Sequence, residues 1–295
     1  MEELTQDREV CLALGYFDSV HLGHRHVIAA ARELAKKSGV ACAVATFTNN
    51  AYKLFNRDEK AVYTYSERCE ILDGLCDFVL PMRFDAHLKN MPAEEFLDKL
   101  FSHYKIRSVV CGYDYLFGAG SKGDATLLKQ YCERHGVECL VVDKYELNDV
   151  RVSTTVIKEF LASGNVEEAN KFLGNPFFVK GKVVRGRGAG RMFDIPTANI
   201  KLSADKLLPA AGVYGTICIV DGEKYEGATN VGGRPTFGLS KTVVETMLKD
   251  FSDNIYDKEV KISFYKYLRP VTKFDTPAHL SKQVHEDIKW AAEEK

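Results

Sequence analysis

Two histidines stand three residues apart just after the first predicted strand of the chain. Val10 to Leu14 is apolar enough to form a buried strand, and a helix is predicted to begin at Leu22, between His21 and His24. A helix start offers free N–H groups and a positive dipole end to an anion. Two imidazoles at this spacing share one face of the first turn. The arrangement suits attack on the α-phosphate of a nucleotide, with the histidines stabilising charge on the phosphates.

Neighbouring residues favour this nucleotide interpretation over its alternatives. Gly23 lies between the histidines and leaves room for a nucleotide, while Gly15 and Asp18 stand in the preceding loop. An ordinary exposed helix start, or a histidine pair that binds a metal adventitiously, would also place two imidazoles here. We favour the nucleotide site because the strand, the acid, the glycines and both histidines occur in register at the carboxyl end of a predicted parallel strand.

A glycine-rich segment further along the chain has the outline of a dinucleotide fingerprint. Gly118 to Gly123 reads G-x-G-x-x-G between a predicted strand and a predicted helix, and Asp143 follows the next strand. Residues 113–117 separate the strand from the first glycine, so the tight strand-to-helix turn of that motif is missing. We therefore expect a loop near a nucleotide, with a plain glycine-rich turn as the alternative, and not a site for NAD. The sequence contains no P-loop motif.

The C-terminal half carries a second candidate site. The segment from Gly181 to Arg191 is rich in glycine and cationic residues and could surround phosphates, with a solvated hairpin as the alternative. Thr197 and Asn199 are two residues apart, so their side chains face the same way on an extended segment. A hydroxyl and an amide oxygen are ligands suited to Mg²⁺ that is bound to ATP. Glu245 lies in a predicted strand that is rich in β-branched residues. Its side chain could act as a general base or could simply be a solvated side chain of that strand.

The order of the predicted elements divides the chain into two domains. In the first half strands and helices alternate, which indicates right-handed crossovers and a parallel, Rossmann-like sheet. Two predicted helices, Thr154–Ala162 and Val166–Leu173, close this half. In the second half glycine becomes frequent and β-branched runs indicate a small antiparallel β-barrel, followed by one C-terminal helix. We predict domains at residues 1–174 and 175–295.

Composition limits the possible partners of the chain. Its 295 residues include 40 Lys and Arg against 41 Asp and Glu, so no overall field exists to hold nucleic acid or an anionic membrane. No apolar run approaches the ~18–20 residues that span a bilayer. The eight cysteines are scattered without a C-x-x-C pair, which favours buried thiols of a reducing cytoplasm over disulfides or zinc. We expect a cytoplasmic enzyme without nucleic-acid or membrane partners.

Together and in this order, the motifs resemble the bifunctional bacterial riboflavin kinase/FMN adenylyltransferase family, also called FAD synthetase. The resemblance extends over nearly the whole chain, and independent motifs in both halves agree. Residues 15–24 resemble the nucleotidyltransferase signature, residues 112–124 a second flavin or nucleotide loop, and residues 153–158 a Ser-Ser-Thr-x-x-Arg phosphate motif. Residues 196–199 resemble the kinase signature, and the segments that also fit the kinase module are 212–214, 230–232 and 234–237.

The resemblance implies a nucleotidyltransferase-like α/β domain, a riboflavin kinase barrel and two reactions. The barrel would transfer the γ-phosphate of ATP to riboflavin, giving FMN, and the α/β domain would transfer AMP from a second ATP to FMN, giving FAD. Mg²⁺ is implied with ATP, held by Thr197 and Asn199, with Glu245 as the kinase base and His21 and His24 catalytic in the other half. Taking both lines of reasoning together, the predicted nucleotide- and flavin-binding residues are Gly15, Phe17, Asp18, Gly23, Asp114, Phe117, Gly118, Ser153, Thr154, Lys158, Gly181, Gly186, Gly190, Arg191 and Arg234.

Three departures from the family pattern fall in the adenylyltransferase half. Ser19 stands where the family usually has glycine, and Thr48-Asn49-Asn50-Ala51 replaces a usual Pro-His-Pro. Lys158 replaces an arginine and so keeps the charge but loses the bidentate fork. One alternative is therefore a riboflavin kinase whose N-terminal half has lost adenylyl transfer. The other alternative is a non-catalytic flavin-binding regulator, against which the intact kinase residues argue.

Overall fold

The computed structural model divides into two compact units, Met1–Thr154 and Thr155–Lys295. The residues that the structure describes are 1–55, 59–185, 197–233, 242–251, 253–272, 274 and 276–292. The domain boundary predicted from the sequence, after Gly174, lies further along the chain than this division.

Six parallel strands form the main sheet of the first unit. In chain order they are β1 (Glu2–Glu3), β2 (Glu9–Leu14), β3 (Ala41–Phe47), β4 (Phe78–Met82), β5 (Lys105–Gly112) and β6 (Glu138–Val142). They pair in the order β1-β4-β3-β2-β5-β6. The helices between them are α1 (Leu22–Ser38), α2 (Tyr65–Leu72), α3 (Ala86–Asn90), α4 (Ala93–His103) and α5 (Ala125–Arg134). A small hairpin of β7 (Glu146–Leu147) and β8 (Val150–Arg151) follows.

The apolar run of β2 serves two cores because successive side chains of a strand point to opposite faces. Leu12 and Leu14 pack on one face, in a core that also contains residues of α4 and α5. Cys11 and Ala13 pack on the other face, in a core that contains residues of α1. A strand that is buried on both faces needs apolar residues at every position, which is why the sequence here is continuous and not alternating.

The strand order creates a switch point between β2 and β5. From β2 the chain continues to β3 on one side of the sheet, and from β5 it continues to β6 on the other side. Ligands of open α/β sheets bind at such a point, outside the carboxyl ends of the strands. The loop with the histidines leaves the carboxyl end of β2, and the loop with Asp114 leaves the carboxyl end of β5.

Two helices follow at the residues predicted from the sequence, α6 (Thr154–Ala162) and α7 (Val166–Leu173). The second helix is bonded to the barrel that comes after it. Asn170 Nδ2 donates a hydrogen bond to the carbonyl oxygen of Phe264 at 2.8 Å, and the N–H of Phe177 donates to Asn170 Oδ1 at 2.6 Å.

Six antiparallel strands close into a barrel in the second unit. They are β9 (Phe177–Val184), β10 (Thr197–Lys201), β11 (Gly212–Val220), β12 (Glu223–Gly233), β13 (Thr242–Leu248) and β14 (Glu259–Arg269), in the order β10-β13-β12-β11-β14-β9. Asp221 and Gly222, both with positive φ, form the hairpin turn between β11 and β12. The predicted fold class, a parallel α/β domain followed by an antiparallel barrel, is confirmed.

The C-terminal helix α8 (Pro277–Asp287) is tied to the barrel wall. Arg269, at the end of β14, forms a forked ion pair with Asp287 through bonds of 2.7 and 2.9 Å. Trp290 follows the helix, and its Nε1 donates to the carbonyl oxygen of Gly227 at 2.9 Å. A Cβ at Gly215 would lie 2.4 Å from the indole ring, so this position admits only glycine.

Candidate active sites

The loop between β2 and α1 has an unusual backbone. Phe17 and Val20 adopt φ values of 51° and 43°, a region uncommon for residues other than glycine. The Phe17 ring is buried and packs so closely on Gly15 that a Cβ there would lie 2.8 Å from it. This close contact requires a glycine at position 15. The loop then ends at His21, the residue directly before α1.

His21 and His24 form a stacked pair at the start of α1. His21 is the N-cap residue, and its Nδ1 accepts a hydrogen bond of 3.0 Å from the backbone N–H of His24. The two rings are nearly parallel, with their centroids 3.6 Å apart. Because Nδ1 accepts, a neutral His21 ring carries its proton on Nε2 and can donate from there. A Cβ at Gly23 would lie 3.2 Å from the His21 ring, so a larger residue would disturb the pair.

Both imidazoles are neutral at pH 7. Burial lowers the pKa of His21 to about 4, and the positive charge of Arg151 contributes. Burial also lowers the pKa of His24 well below its usual value, with further lowering by His21 and Arg68. The Nδ1 atom of His24 is buried and has no hydrogen-bond partner among the described residues. This pair can therefore stabilise phosphate oxygens by donating N–H hydrogen bonds, and not through a charge of its own.

A buried arginine that the sequence did not single out places positive charge near this pair. Arg68, on α2, is 1% exposed. Its guanidinium donates to the carbonyl oxygens of Tyr63 and Phe47 and lies 5.2 Å from the centroid of the Tyr16 ring. Its Nε has no hydrogen-bond partner in the described part of the chain. Nothing in the local sequence marks this residue. The helix α2 contains several charged side chains, and only the folded structure shows which of them are buried.

Asp18 anchors the histidine loop to a neighbouring segment. Its carboxylate is 1% exposed and accepts hydrogen bonds from the N–H of Val62 at 3.1 Å and from the hydroxyl of Tyr52 at 3.2 Å. The segment after β3, which departs from the family pattern, is equally well bonded. Asn49 there exchanges two hydrogen bonds, of 2.8 and 2.9 Å, with the backbone of Phe84. The departure is thus an ordered part of the fold.

The predicted phosphate motif at Ser153–Lys158 begins at α6. The Oγ1 atom of Thr154 lies 3.0 Å from Oγ of Ser19, within hydrogen-bond distance. Ser19 is fully buried, and its backbone lies outside the left-handed region, so a serine causes no backbone strain here. Lys158 follows Thr154 one turn later on α6.

The loop after β5 separates two of the predicted binding residues. Asp114 is exposed and forms an ion pair with Arg151 of β8. Phe117, by contrast, is buried in the core, where its ring packs against Phe96 with centroids 5.8 Å apart. Of the two, only Asp114 stands at the surface near the carboxyl end of β5.

The glycine-rich segment does not have the geometry of a dinucleotide fingerprint. Phe117 and Gly123 exchange two backbone hydrogen bonds, which close the intervening residues into a loop. Gly118 has a φ of 73°, and a Cβ there would lie 2.6 Å from Cα of Ala93. A fingerprint instead turns directly from strand into helix. The segment therefore lacks the strand-to-helix turn on which such a fingerprint depends.

In the second unit, Thr197, Asn199 and Glu245 lie together on the outer face of the barrel. The register of β10 and β13 places Asn199 directly opposite Glu245. Thr197 Oγ1 donates to Glu245 Oε1 at 2.6 Å, and Asn199 Nδ2 donates to the same oxygen at 3.3 Å. No described residue bonds the second carboxylate oxygen, Oε2, so it is placed to accept a proton from a substrate. The flanking Val244 and Thr246 are buried on the opposite, inner face.

Family models match both units of the chain. The model described as FAD synthetase matches residues 3–156, and the model described as riboflavin kinase matches residues 173–294. The bifunctional riboflavin kinase/FMN adenylyltransferase of Bacillus subtilis is 32% identical over 283 residues, which cover 94% of this chain and 89% of the relative. The protein of the same name from Escherichia coli K12 is 32% identical over 288 residues, covering 96% and 91%. The chain belongs to this bifunctional family.

The resemblance on which the sequence analysis relied is therefore confirmed. A crystal structure described as a macrolide-efflux protein from Streptococcus pneumoniae is also similar to this family member, with a TM-score of 0.87 and 29% identity over 96% of this chain and 94% of that one. In the part of this chain that the structure describes, no helix combines the length and the apolar character needed to cross a membrane.

Kinases and adenylyltransferases of these families generally use a divalent metal, and two residues of the kinase site fit one. The Asn199 amide donates through Nδ2 to Glu245, so its Oδ1 points away from the carboxylate. The Thr197 hydroxyl donates its proton to the same carboxylate and keeps its lone pairs for another partner. The amide oxygen of Asn199 and the hydroxyl oxygen of Thr197 are both neutral, hard oxygens of the kind that Mg²⁺ accepts as ligands.

Of the remaining predicted binding residues of the kinase half, the structure describes Gly181 alone. Gly181 lies inside β9, where a Cβ would come 2.5 Å from the carbonyl oxygen of Lys201, so a close strand contact accounts for the glycine. The other four lie outside the described residues: Gly186, Gly190, Arg191 and Arg234.

Proposed function

We propose that the two sites of this bifunctional enzyme catalyse successive reactions on one flavin. The barrel transfers the γ-phosphoryl group of ATP to the 5′-hydroxyl of riboflavin, giving FMN and ADP. The α/β unit transfers AMP from a second ATP to FMN, giving FAD and pyrophosphate. Thr197 and Asn199 both donate hydrogen bonds to the same carboxylate oxygen of Glu245. This arrangement is the observation that carries the kinase assignment. We assign residues 1–174 to adenylyl transfer and residues 175–295 to the kinase.

In the kinase step, Glu245 acts as general base. The flavin hydroxyl is poorly acidic, so its proton must be accepted as the bond to phosphorus forms and the bond to the ADP oxygen breaks. Thr197 and Asn199 hold Oε1 by hydrogen bonds, which orients the carboxylate and leaves Oε2 for that proton. The same two residues present oxygens to Mg²⁺, the metal we propose, which neutralises charge on the ATP phosphates when bound.

The adenylyl transfer needs no comparable base. The attacking group is the FMN phosphate, which is already ionised at pH 7, and pyrophosphate leaves as the new phosphorus–oxygen bond forms. Catalysis then consists of positioning and of stabilising negative charge. The stacked His21 and His24 supply N–H donors, and Arg68 supplies a fixed positive charge that the low dielectric of the interior strengthens.

The structure bears on the two alternatives. A kinase with a lost adenylyltransferase half would be expected to have a disrupted N-terminal site. Instead, Ser19 and Asn49, two of the residues that depart from the family pattern, form specific hydrogen bonds within the fold. A non-catalytic flavin-binding regulator would have no need for the oriented carboxylate of Glu245. These observations favour the bifunctional enzyme, working on ATP in the cytoplasm.

One incubation tests the proposal. Purified protein is mixed with riboflavin, ATP and Mg²⁺, and FMN and FAD are separated by chromatography and quantified over time. The bifunctional enzyme forms FMN first and FAD after it, and FMN supplied directly is converted to FAD. Formation of FMN alone identifies a kinase with an inactive N-terminal half. Flavin binding without consumption of ATP identifies the regulator.

A further inference from the structure

Glu245 has a second asparagine neighbour, on the side away from Asn199. The strand β13 pairs with β10 on one edge and with β12 on the other, and Glu245 stands directly opposite Asn199 in β10 and Asn230 in β12. Residues directly opposite each other in a sheet project from the same face. The three side chains therefore form one row on the outer face of the barrel, with the carboxylate in the middle.

The side-chain oxygen of Asn230 is a buried acceptor that nothing in the described chain satisfies. Its Oδ1 is buried and has no hydrogen-bond partner there, whereas Asn199 bonds the carboxylate. Buried acceptors without a donor are rare and costly in native proteins. The missing partner must be a hydrogen-bond donor. The ionised phosphates of ATP offer only acceptors, but the side chain of riboflavin carries several hydroxyl donors.

A metal ion shared with Thr197 and Asn199 does not explain this acceptor. The backbones of neighbouring strands are about 4.8 Å apart, so the backbones at Asn199 and Asn230 are separated by about 9.6 Å. Glu245, in β13, lies between them. Two oxygens on one Mg²⁺ lie at most about 4.2 Å apart, because each is about 2.1 Å from the metal. Asn230 therefore lies on the side of the base that is away from the metal ligands.

We propose that Asn230 binds a hydroxyl of the riboflavin side chain and so holds the acceptor 5′-hydroxyl beside Glu245. The inference rests on the proposed kinase function and assigns the two sides of the base. Thr197 and Asn199 hold the metal and the phosphoryl donor on one side, and Asn230 holds the flavin hydroxyls on the other. Asn230 thereby contributes to the choice of a polyhydroxylated flavin as substrate.

The test compares Asn230→Ala with the parent enzyme in the full chain. We expect KM for riboflavin to rise about 5- to 10-fold, the effect of losing one hydrogen bond, while KM for ATP and the Mg²⁺ dependence stay unchanged. Lumiflavin, which has the flavin ring but no hydroxylated side chain, is used as a competitive inhibitor of the kinase. Its inhibition constant should be the same for both proteins, because it makes no contact with Asn230.

Two controls separate this role from a structural one. Asn254→Ala removes an exposed asparagine of the same unit, whose Oδ1 bonds the N–H of Tyr256, and should leave all constants unchanged. FAD formation from supplied FMN should be the same in every variant. An unchanged KM for riboflavin, equal losses for riboflavin and ATP, or a weakened lumiflavin inhibition would each overturn the role of Asn230. A parent protein that does not phosphorylate riboflavin would instead overturn the kinase function itself.

Discussion

Ser19 and Thr154 are 135 positions apart in the chain, yet their hydroxyl oxygens lie 3.0 Å apart. Ser19 belongs to the loop that presents the two histidines, and Thr154 opens the helix that carries the predicted phosphate motif. The hydrogen bond therefore joins two segments that we expect to contact the same nucleotide. Ser19, which departs from the family pattern, thus connects the histidine loop with the helix that begins at Thr154.

Replacing Ser19 by alanine should weaken adenylyl transfer moderately. Loss of one hydrogen bond costs about 1 kcal/mol, so we expect FAD formation from FMN to fall about 5-fold. FMN formation from riboflavin is the internal control and should not change. In the Thr154→Val background, Ser19→Ala should have no further effect, because the bond is already gone. Additive losses in this double-mutant cycle would show that the two hydroxyls act independently.

The histidine pair should be essential for FAD formation alone. We expect His21→Ala or His24→Ala to reduce the conversion of FMN to FAD by about 10²-fold or more, a typical loss for one stabilising group. Phosphorylation of riboflavin should hardly change. His26→Ala provides a matched control, since His26 is an exposed histidine of the same helix. If both activities fell while the protein stayed folded, the assignment of the reactions to the two units would be wrong.

The burial of His21 should make the protein sensitive to acid. The pKa of His21 falls from its usual 6.5 to about 4 in the folded state, so the unfolded chain binds a proton at a higher pH than the folded protein does. The free energy of unfolding is unaffected by this group above pH 6.5. As the pH falls from 6.5 towards 4, protonation of the unfolded chain lowers the free energy of unfolding by up to about 1.4 kcal/mol per pH unit. Denaturant unfolding measured from pH 7.5 to 4.5 should show a smaller loss for His21→Asn than for the parent. Identical pH profiles would mean that His21 is not held neutral.

The kinase should depend on the proton-accepting ability of Glu245. Glutamine has nearly the same size and still forms hydrogen bonds, but it cannot take the proton, so Glu245→Gln should reduce FMN formation by about 10²–10⁴-fold. Thr197→Ala or Asn199→Ala should instead shift the dependence of the rate on Mg²⁺ and ATP. FAD formation from supplied FMN should be normal in all three variants. If a Glu245→Gln protein phosphorylated riboflavin at the parental rate, Glu245 would not be the general base of the kinase.

Local chemistry made much of the fold predictable. The helices at Thr154–Ala162 and Val166–Leu173 have the predicted bounds, because apolar spacing and, for the second helix, the capping residues Asn165 and Gly174 are local signals. The turn at Asp221-Gly222 was predictable for the same reason, since both residues tolerate positive φ. Among the elements that could not be predicted in this way are short ones, such as β1, α3 and the β7–β8 hairpin. Their few residues carry too little periodicity, and pairing or packing with distant segments stabilises them.

The sequence by itself determined which residue types could do chemistry and in which half of the chain they lie. It showed two histidines at a helix start, a threonine and an asparagine two residues apart, and a glutamate in a later strand. It could not show that Asn199 and Asn230 flank Glu245, because that juxtaposition depends on the register of three strands in a closed barrel. Nor could it distinguish Arg68 from the other charged residues of the chain, because its burial depends on contacts with Phe47 and Tyr16 that exist only once the chain has folded.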